Sequence, residues 1–139
     1  MVAPLCSPEL ADRIQKPADL LSHTLIESDY KRVRWPDWFA ANGMTAPAPF
    51  GPRFDRSFLS LSAAADGLGV ALESTRLAER ELASGRLVRP LQGCEDVAYT
   101  GHWLAVPRPK LYTRSVVLLV EWLGRELGID LDPTTAVMP

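Results

Sequence analysis

The chain has 139 residues, of which 47% are hydrophobic, and its formal net charge is -2. This length and composition fit one folded domain with its own core and exclude a disordered chain. The small negative charge, with arginines scattered among acidic residues, gives no electrostatic attraction to nucleic acid. No apolar run reaches the length of a membrane span and the residues after Met1 do not resemble a signal peptide, so we expect a cytoplasmic protein.

The first third of the chain predicts strands that alternate with short helices. Residues 2–6 form an apolar run typical of a buried strand, and Ser7 is placed to cap the helix that follows. A second short helix is predicted at residues 16–21, and a strand at residues 24–26. Residues 35–43 predict a helix with proline early and glycine late, whose aromatic side chains share one face and suit core packing.

The middle of the chain continues this alternation. A helix is predicted at residues 58–64, with Asp55 or Ser57 as its cap and Gly67 just past its end, where a left-handed residue is needed. Residues 70–72 then predict a short buried strand. Because a predicted helix separates this strand from the next one, we expect neighbouring strands to be parallel and joined by crossover connections.

The second helix of this block has Ser74 or Thr75 as its predicted cap, and Gly85 ends it. Residues 87–88 begin the next predicted strand. These features again favour a parallel sheet covered by helices.

Two further strands and one long helix complete the predicted elements. Phe50 and Phe54 flank a short strand, and residues 99–106 predict a strand that is interrupted by a glycine. The longest helix is predicted at residues 111–127, where apolar residues recur along one stripe, and Gly128 ends it.

Five stretches, in chain order, carry a family resemblance: VAPLCSPEL; PADLLSHTLIESD; WPDWFAANGM; RFDRSFLSLSAAADGLGVAL with ELASGRLVRP; and WLAVPRPK followed by VVLLVEWLGREL. Together they resemble the effector-binding domain of LysR-type transcriptional regulators, most closely the glycine-cleavage-activator subgroup. The resemblance implies an α/β fold of the periplasmic-binding-protein type II-like kind. Its regulatory subdomain would have a mostly parallel sheet, flanking helices and a returning C-terminal helix.

The resemblance also implies a domain organisation and a set of partners. Residues 1–106 would be the second regulatory subdomain, and residues 107–139 the returning helix and tail. A small-molecule effector, such as a carboxylate or an amino acid, would bind between subdomains of a homo-oligomer. DNA would be bound only through a domain absent from this sequence. Because half of the effector cleft would be missing, we expect a truncated regulator that binds its effector weakly or not at all.

Candidate ligand contacts follow two predicted strands and open one predicted helix. Ligands of open α/β sheets bind beyond the carboxyl ends of the strands, near helix N-termini. The candidates there are Ser28, Asp29, Phe54, Asp55 and Ser57. The resemblance places His102 and Trp103 near the hinge, where they could also reach the ligand. The alternatives are that the polar residues are only turn or cap residues, and that the last two only pack.

The sequence gives no pattern for a metal, a cofactor or catalysis. Cys6 and Cys94 are far apart and form no metal-ligand spacing, so we expect two reduced thiols, with a disulfide between them as the alternative. There is no GxSxG elbow, and His23 and His102 lie in no recognisable nucleophile–base arrangement. We therefore expect no enzyme. Two other hypotheses stay open: half of a periplasmic-type solute-binding protein, which has the same kind of fold, and a small hydrolase.

Overall fold

The computed structural model describes residues 1–48, 51–101, 104–129 and 131. Two compact units divide the chain, Met1–Tyr99 and Thr100–Pro139. The elements of the first unit are β1 (Val2–Leu5), α1 (Pro8–Ala11), a 3₁₀ helix (Pro17–Ser22), β2 (Leu25–Ser28), α2 (Trp35–Ala41), β3 (Arg53–Phe54), α3 (Ser57–Ala65), β4 (Val70–Ser74) and α4 (Glu79–Ala83). The second unit contains a short 3₁₀ helix (Arg108–Lys110) and α5 (Arg114–Leu127). No helix among the described residues has both the length and the apolar composition needed to cross a membrane.

A four-stranded sheet in the order β1-β4-β2-β3 is the centre of the first unit. The pairs β2–β4 and β2–β3 are parallel, whereas β1 pairs antiparallel with β4. The predicted α/β fold with a mostly parallel sheet is therefore confirmed, and β1 is its one antiparallel strand. Pro4 is tolerated in β1 because this strand lies at the end of the sheet order, where one fewer backbone donor is needed.

Helices cover both faces of the sheet and make a three-layer unit. Successive strand residues point to opposite faces, so Leu25 and Val70 join one core cluster and Ile26 and Ala71 join the other. The first cluster includes the α2 aromatic residues Trp35, Trp38 and Phe39, and the second includes the α3 residues Leu61 and Ala64. The predicted aromatic face of the helix at residues 35–43 is thus a core face.

The predicted side-chain caps are wrong at three helix starts. Ser7 is the N-cap residue of α1, as predicted, but its hydroxyl makes no capping hydrogen bond and is buried without a partner among the described residues. At α3 the cap position is Arg56, whose backbone is extended, and neither neighbouring candidate caps the helix. Ser74 ends β4, and Thr75 donates its N–H to the carbonyl of Met1 at 3.1 Å, so strand pairing continues where a helix start was predicted.

Two predicted strands are also corrected. Instead of a strand at residues 87–88, Val88 makes a single antiparallel bridge with Cys6, because Pro90 shortly afterwards has no N–H to continue the pairing. The described part of the stretch 99–106 contains no strand. Pairing with β1 ends before it, at the bridge between Val97 and Val2.

The remaining terminal elements agree more closely with the prediction. Phe54 lies in a two-residue strand, as expected, while Phe50 lies outside the described residues. The long helix begins at Arg114, three residues later than predicted, and ends at Leu127, and Gly128 directly after it has a left-handed φ of 63°. Glycine adopts this conformation without the steric cost that a Cβ brings, which explains the end of the helix.

Both cysteines are free, and their surroundings predict different reactivity. Cys6 is fully buried, and burial raises the pKa of its thiol to about 11. Cys94 is only half-buried, and burial together with the charge of Asp96 raises the pKa of its thiol too, so the contrast lies in exposure as well as in pKa. Only the thiolate attacks a disulfide reagent, so a thiol-specific dye at neutral pH should label Cys94 well before Cys6. Raising the pH toward 11 should speed the labelling of Cys6. In a Cys94→Ala control only the slow phase should remain, and equal labelling rates in the parent chain would contradict this prediction.

Candidate functional site

The sheet brings the five candidates of the first unit to one edge. Ser28 is the last residue of β2, and Phe54 is the last residue of the parallel neighbour β3. The two residues are paired in the register of these strands. The N–H of Asp29 donates to the carbonyl of Phe54 at 2.9 Å, which ties the two strand ends together. Asp55 follows at once, and Ser57 is the first residue of α3. We call these five residues the strand-end site.

Ser28 is buried within a network of side chains that the sequence analysis did not identify. Its hydroxyl lies 2.5 Å from the hydroxyl of Ser60 on α3 and donates to the Glu73 carboxylate on β4 at 2.8 Å. Ser60 and Glu73 are both fully buried. One signal was present in the sequence, because Glu73 is a charged residue in the short apolar strand Val70–Ser74.

Lys31 compensates the buried charge of Glu73. Its ammonium pairs with Glu73 Oε1 and donates to the carbonyl of Leu72. Burial lowers the pKa of Lys31, and the neighbouring carboxylate opposes that shift. The second carboxylate oxygen of Glu73 has no hydrogen-bond partner among the described residues. Because a buried carboxylate without a counter-charge is strongly unfavourable, the two residues depend on each other.

Asp29 is engaged in an ion pair across the edge. Its carboxylate accepts two hydrogen bonds from Arg53, at 3.0 Å from Nε and 2.5 Å from Nη2. The carboxylate of Glu27 lies 3.8 Å from the same guanidinium. These contacts raise the pKa of Arg53, chiefly through Asp29. Both members of the Asp29–Arg53 pair are partly exposed, so salt or a charged ligand can compete with the pair.

The start of α3 supplies the accessible part of the strand-end site. Phe54 is half-buried against the second core cluster, Asp55 is exposed, and Ser57 is half-buried. Among the described residues no side chain caps this helix, and the N–H groups of its first two residues have no intrahelical partner and are available to an acceptor. His102 and Trp103 lie outside the described residues.

A narrow crevice lies beside the strand-end site. The crevice is lined by the carboxyl end of β2, the segment that follows β2 and the adjoining part of β4. The lining residues are Ile26, Glu27, Ser28, Lys31, Val33, Arg34, Trp35 and Leu72. The Trp35 indole N–H donates to the Ile26 carbonyl at 3.0 Å and forms one wall. The crevice holds about 10 Å³, roughly the space of one water. Among the described residues, no cluster of His, Cys, Asp and Glu side chains could hold a metal ion.

Comparison with known families gives one match that covers most of the chain. Residues 2–128 match the family model described as the LysR substrate binding domain. This match includes all seven candidate site residues.

Curated relatives match over about 90% of the chain. The HTH-type transcriptional regulator PerR of Escherichia coli is 48% identical over 129 residues, which are 92% of this chain and 43% of PerR. The HTH-type transcriptional activator AmpR of Pseudomonas aeruginosa is 39% identical over 128 residues, or 91% of this chain and 42% of AmpR. The chain therefore spans less than half the length of these relatives.

Solved structures show the same fold. The effector domain of AmpR from Pseudomonas aeruginosa has a TM-score of 0.59 at 44% identity, covering 64% of this chain and 43% of that one. The AmpR effector binding domain from Citrobacter freundii has a TM-score of 0.60 at 40% identity, covering 68% and 48%. The regulatory domain of CrgA, a LysR-type regulator from Neisseria meningitidis, reaches a TM-score of 0.60 at 17% identity and bears on the fold alone.

Proposed function

The chain belongs to the LysR substrate-binding domain family, and we propose that it is the effector-sensing portion of a LysR-type transcriptional regulator. The observation that carries this proposal is the convergence of two parallel strand ends and one helix start at the strand-end site. Such an edge is where open α/β sheets bind their ligands. The relatives are transcriptional regulators, and we assign no catalytic role to this chain.

The proposed effector is a small molecule with a carboxylate, such as an amino acid or an aromatic acid. The free N–H groups at the start of α3 and the Ser57 hydroxyl suit an anionic oxygen. The half-buried ring of Phe54 supplies an apolar wall next to them. Asp29 and Asp55 would accept hydrogen bonds from the ammonium of an amino acid, and the buried Ser28 supports the edge through its contacts with Ser60 and Glu73. His102 and Trp103 stay candidates for further contacts.

The proposed mechanism is a shift between two arrangements of the regulator. An effector that binds one arrangement more tightly raises its population by the difference in binding free energy. In a homo-oligomer this shift would change how separate DNA-binding domains are presented, and this chain would contact DNA only through them. We propose that the regulator works in the cytoplasm. A truncated chain, its boundary after residue 106 and the glycine-cleavage-activator-like subgroup stay predictions.

A ligand screen tests the effector proposal. We expect one or more compounds from a panel of amino acids and aromatic carboxylates to raise the melting temperature of the chain. At a ligand concentration ten times the dissociation constant, the gain in stability is about 1.4 kcal/mol, which corresponds to a few degrees. We expect this gain only at millimolar ligand.

Two alanine variants of α3 locate the effect. Ser57→Ala removes the hydroxyl at the strand-end site and should weaken the stabilisation, whereas Ser62→Ala removes an exposed hydroxyl from the same helix and should preserve it. If no panel compound stabilises the chain at millimolar concentration, or if both variants respond like the parent, the proposed site is wrong.

A further inference from the structure

Four side chains form one connected network across three elements, and one of them, Ser28, also belongs to the strand-end site. Ser60 is on α3, Ser28 ends β2, Glu73 lies in β4 and Lys31 follows β2. The contacts run from Ser60 Oγ to Ser28 Oγ at 2.5 Å, from Ser28 Oγ to Glu73 Oε1 at 2.8 Å, and from that oxygen to the Lys31 ammonium. We call these four residues the buried network.

The chemistry of the groups gives the network a single direction. A carboxylate only accepts hydrogen bonds, and an ammonium only donates them. The one hydroxyl hydrogen of Ser28 goes to Glu73, so the hydrogen of the short Ser28–Ser60 contact must come from Ser60. Both hydroxyl hydrogens are therefore engaged within the protein. The effect of Ser28 and Ser60 on a ligand has to come from holding backbone in place.

The place that the network holds is the accessible part of the strand-end site. Ser57 is the first residue of α3, one turn before Ser60, and no side chain in the described part of the chain caps the helix there. Among the described residues, the contact between Ser28 and Ser60 is the side-chain hydrogen bond that ties this end of α3 to the sheet. A helix start held rigidly before the ligand arrives loses less entropy on binding.

We propose that Lys31 and Glu73 are positioning residues of the strand-end site, acting through Ser28 and Ser60 on the first turns of α3. The inference depends on the proposed function only in naming those turns as the effector-binding edge. The lysine neutralises the buried carboxylate, and the carboxylate orients both hydroxyls. Loss of the lysine should therefore speed exchange on α3, although the lysine ammonium bonds to Glu73 and to the Leu72 carbonyl in β4.

The first test is Ser60→Ala, read by amide hydrogen exchange at Leu59 and Leu61 and normalised to Val70 in the sheet. Alanine is the better helix former, so helix propensity alone predicts slower exchange in α3. The positioning role predicts the opposite, with exchange about tenfold faster than in the parent chain. Slower or unchanged exchange at both amides would overturn the proposal.

The second test is a double-mutant cycle. Lys31→Met should speed α3 exchange about tenfold when Glu73 is present, and less than about twofold in a Glu73→Gln background, where no buried charge is left unpaired. The matched control is the exposed ion pair of Arg76 and Glu79, two residues that follow β4 in the sequence. The double change Arg76→Met with Glu79→Gln should leave α3 exchange unchanged. Equal effects of Lys31→Met in both backgrounds would contradict coupling through Glu73.

If Lys31→Met fails to fold, Lys31→Met combined with Glu73→Leu takes its place, because this double variant leaves no unpaired buried charge and removes the carboxylate that orients the hydroxyls. Its α3 exchange should be faster than in the parent chain, and unchanged exchange would overturn the proposal. Neither measurement uses a ligand, so a failed ligand screen does not alter their outcome. Conversely, a compound could bind the strand-end site while α3 exchange stays the same in all these variants. That result would refute the positioning role and leave the proposed function intact.

Discussion

Gly69→Ala should destabilise the first unit by about 3 kcal/mol, at the upper end of the cost of overpacking. Gly69 is buried just before β4, and a Cβ at this position would collide with the carbonyl oxygen of Thr24 and approach the Thr24 Cβ to 2.9 Å. That carbonyl cannot move away easily, because it accepts the Val70 N–H at 2.8 Å and so belongs to the pairing of β2 with β4. Urea unfolding measures the loss.

Gly43→Ala is the control, because it separates space from backbone conformation. Gly43 has a φ of 69°, and no atom lies within 4 Å of the position that a Cβ would take there. Its replacement therefore costs only the strain of a left-handed alanine, about 1 kcal/mol. Gly69→Ala should cost clearly more than Gly43→Ala. Equal free energies of unfolding for the two variants would contradict the close approach between β2 and the start of β4.

Trp38→Ala should lower the free energy of unfolding by about 3 to 5 kcal/mol, as expected when a buried aromatic side chain is removed from a core. Trp38 is fully buried, and its ring meets Trp35 and Phe39 edge-on at centroid distances of 6.0 and 5.4 Å. Trp38→Phe should cost much less, because the indole N–H has no hydrogen-bond partner among the described residues.

The half-exposed Trp122 on α5 provides the comparison for Trp38. Its relative exposure is 49%, so Trp122→Ala removes far less buried surface and should cost less than about 1 kcal/mol. If Trp38→Ala unfolds at the same urea concentration as Trp122→Ala, the aromatic cluster is not the core that the structure shows.

Local sequence patterns predicted most elements because their causes are local. The apolar runs at β1, β2 and β4 and the helical spacing of α2, α3 and α5 depend on neighbours in sequence. Helix starts were less predictable. Thr75 donates its N–H to the carbonyl of Met1, 74 residues away in the sequence. Because of this long-range pairing, α4 begins only at Glu79.

The sequence indicated where the candidate site lies, but not which buried side chains contact each other within it. Parallel strands end at one edge of a sheet, and the register of β2 with β3 places Ser28 beside Phe54. The partners of Ser28 are 32 and 45 residues away in sequence, and no spacing rule connects them. The pairing of Asp29 with Arg53 likewise depends on the register of β2 with β3, which residue patterns leave open.

The most direct test of the proposed effector site is an amide NMR titration of the chain with a panel compound that stabilises it. We expect the amide signals of five residues to shift together along one saturation curve: Ser28, Asp29, Phe54, Asp55 and Ser57. The amides of α4 should stay in place over the same range. A saturable shift that centres on α4 or another surface, with those five signals unmoved, would show that ligand binding occurs elsewhere and that the strand-end site is not the sensor.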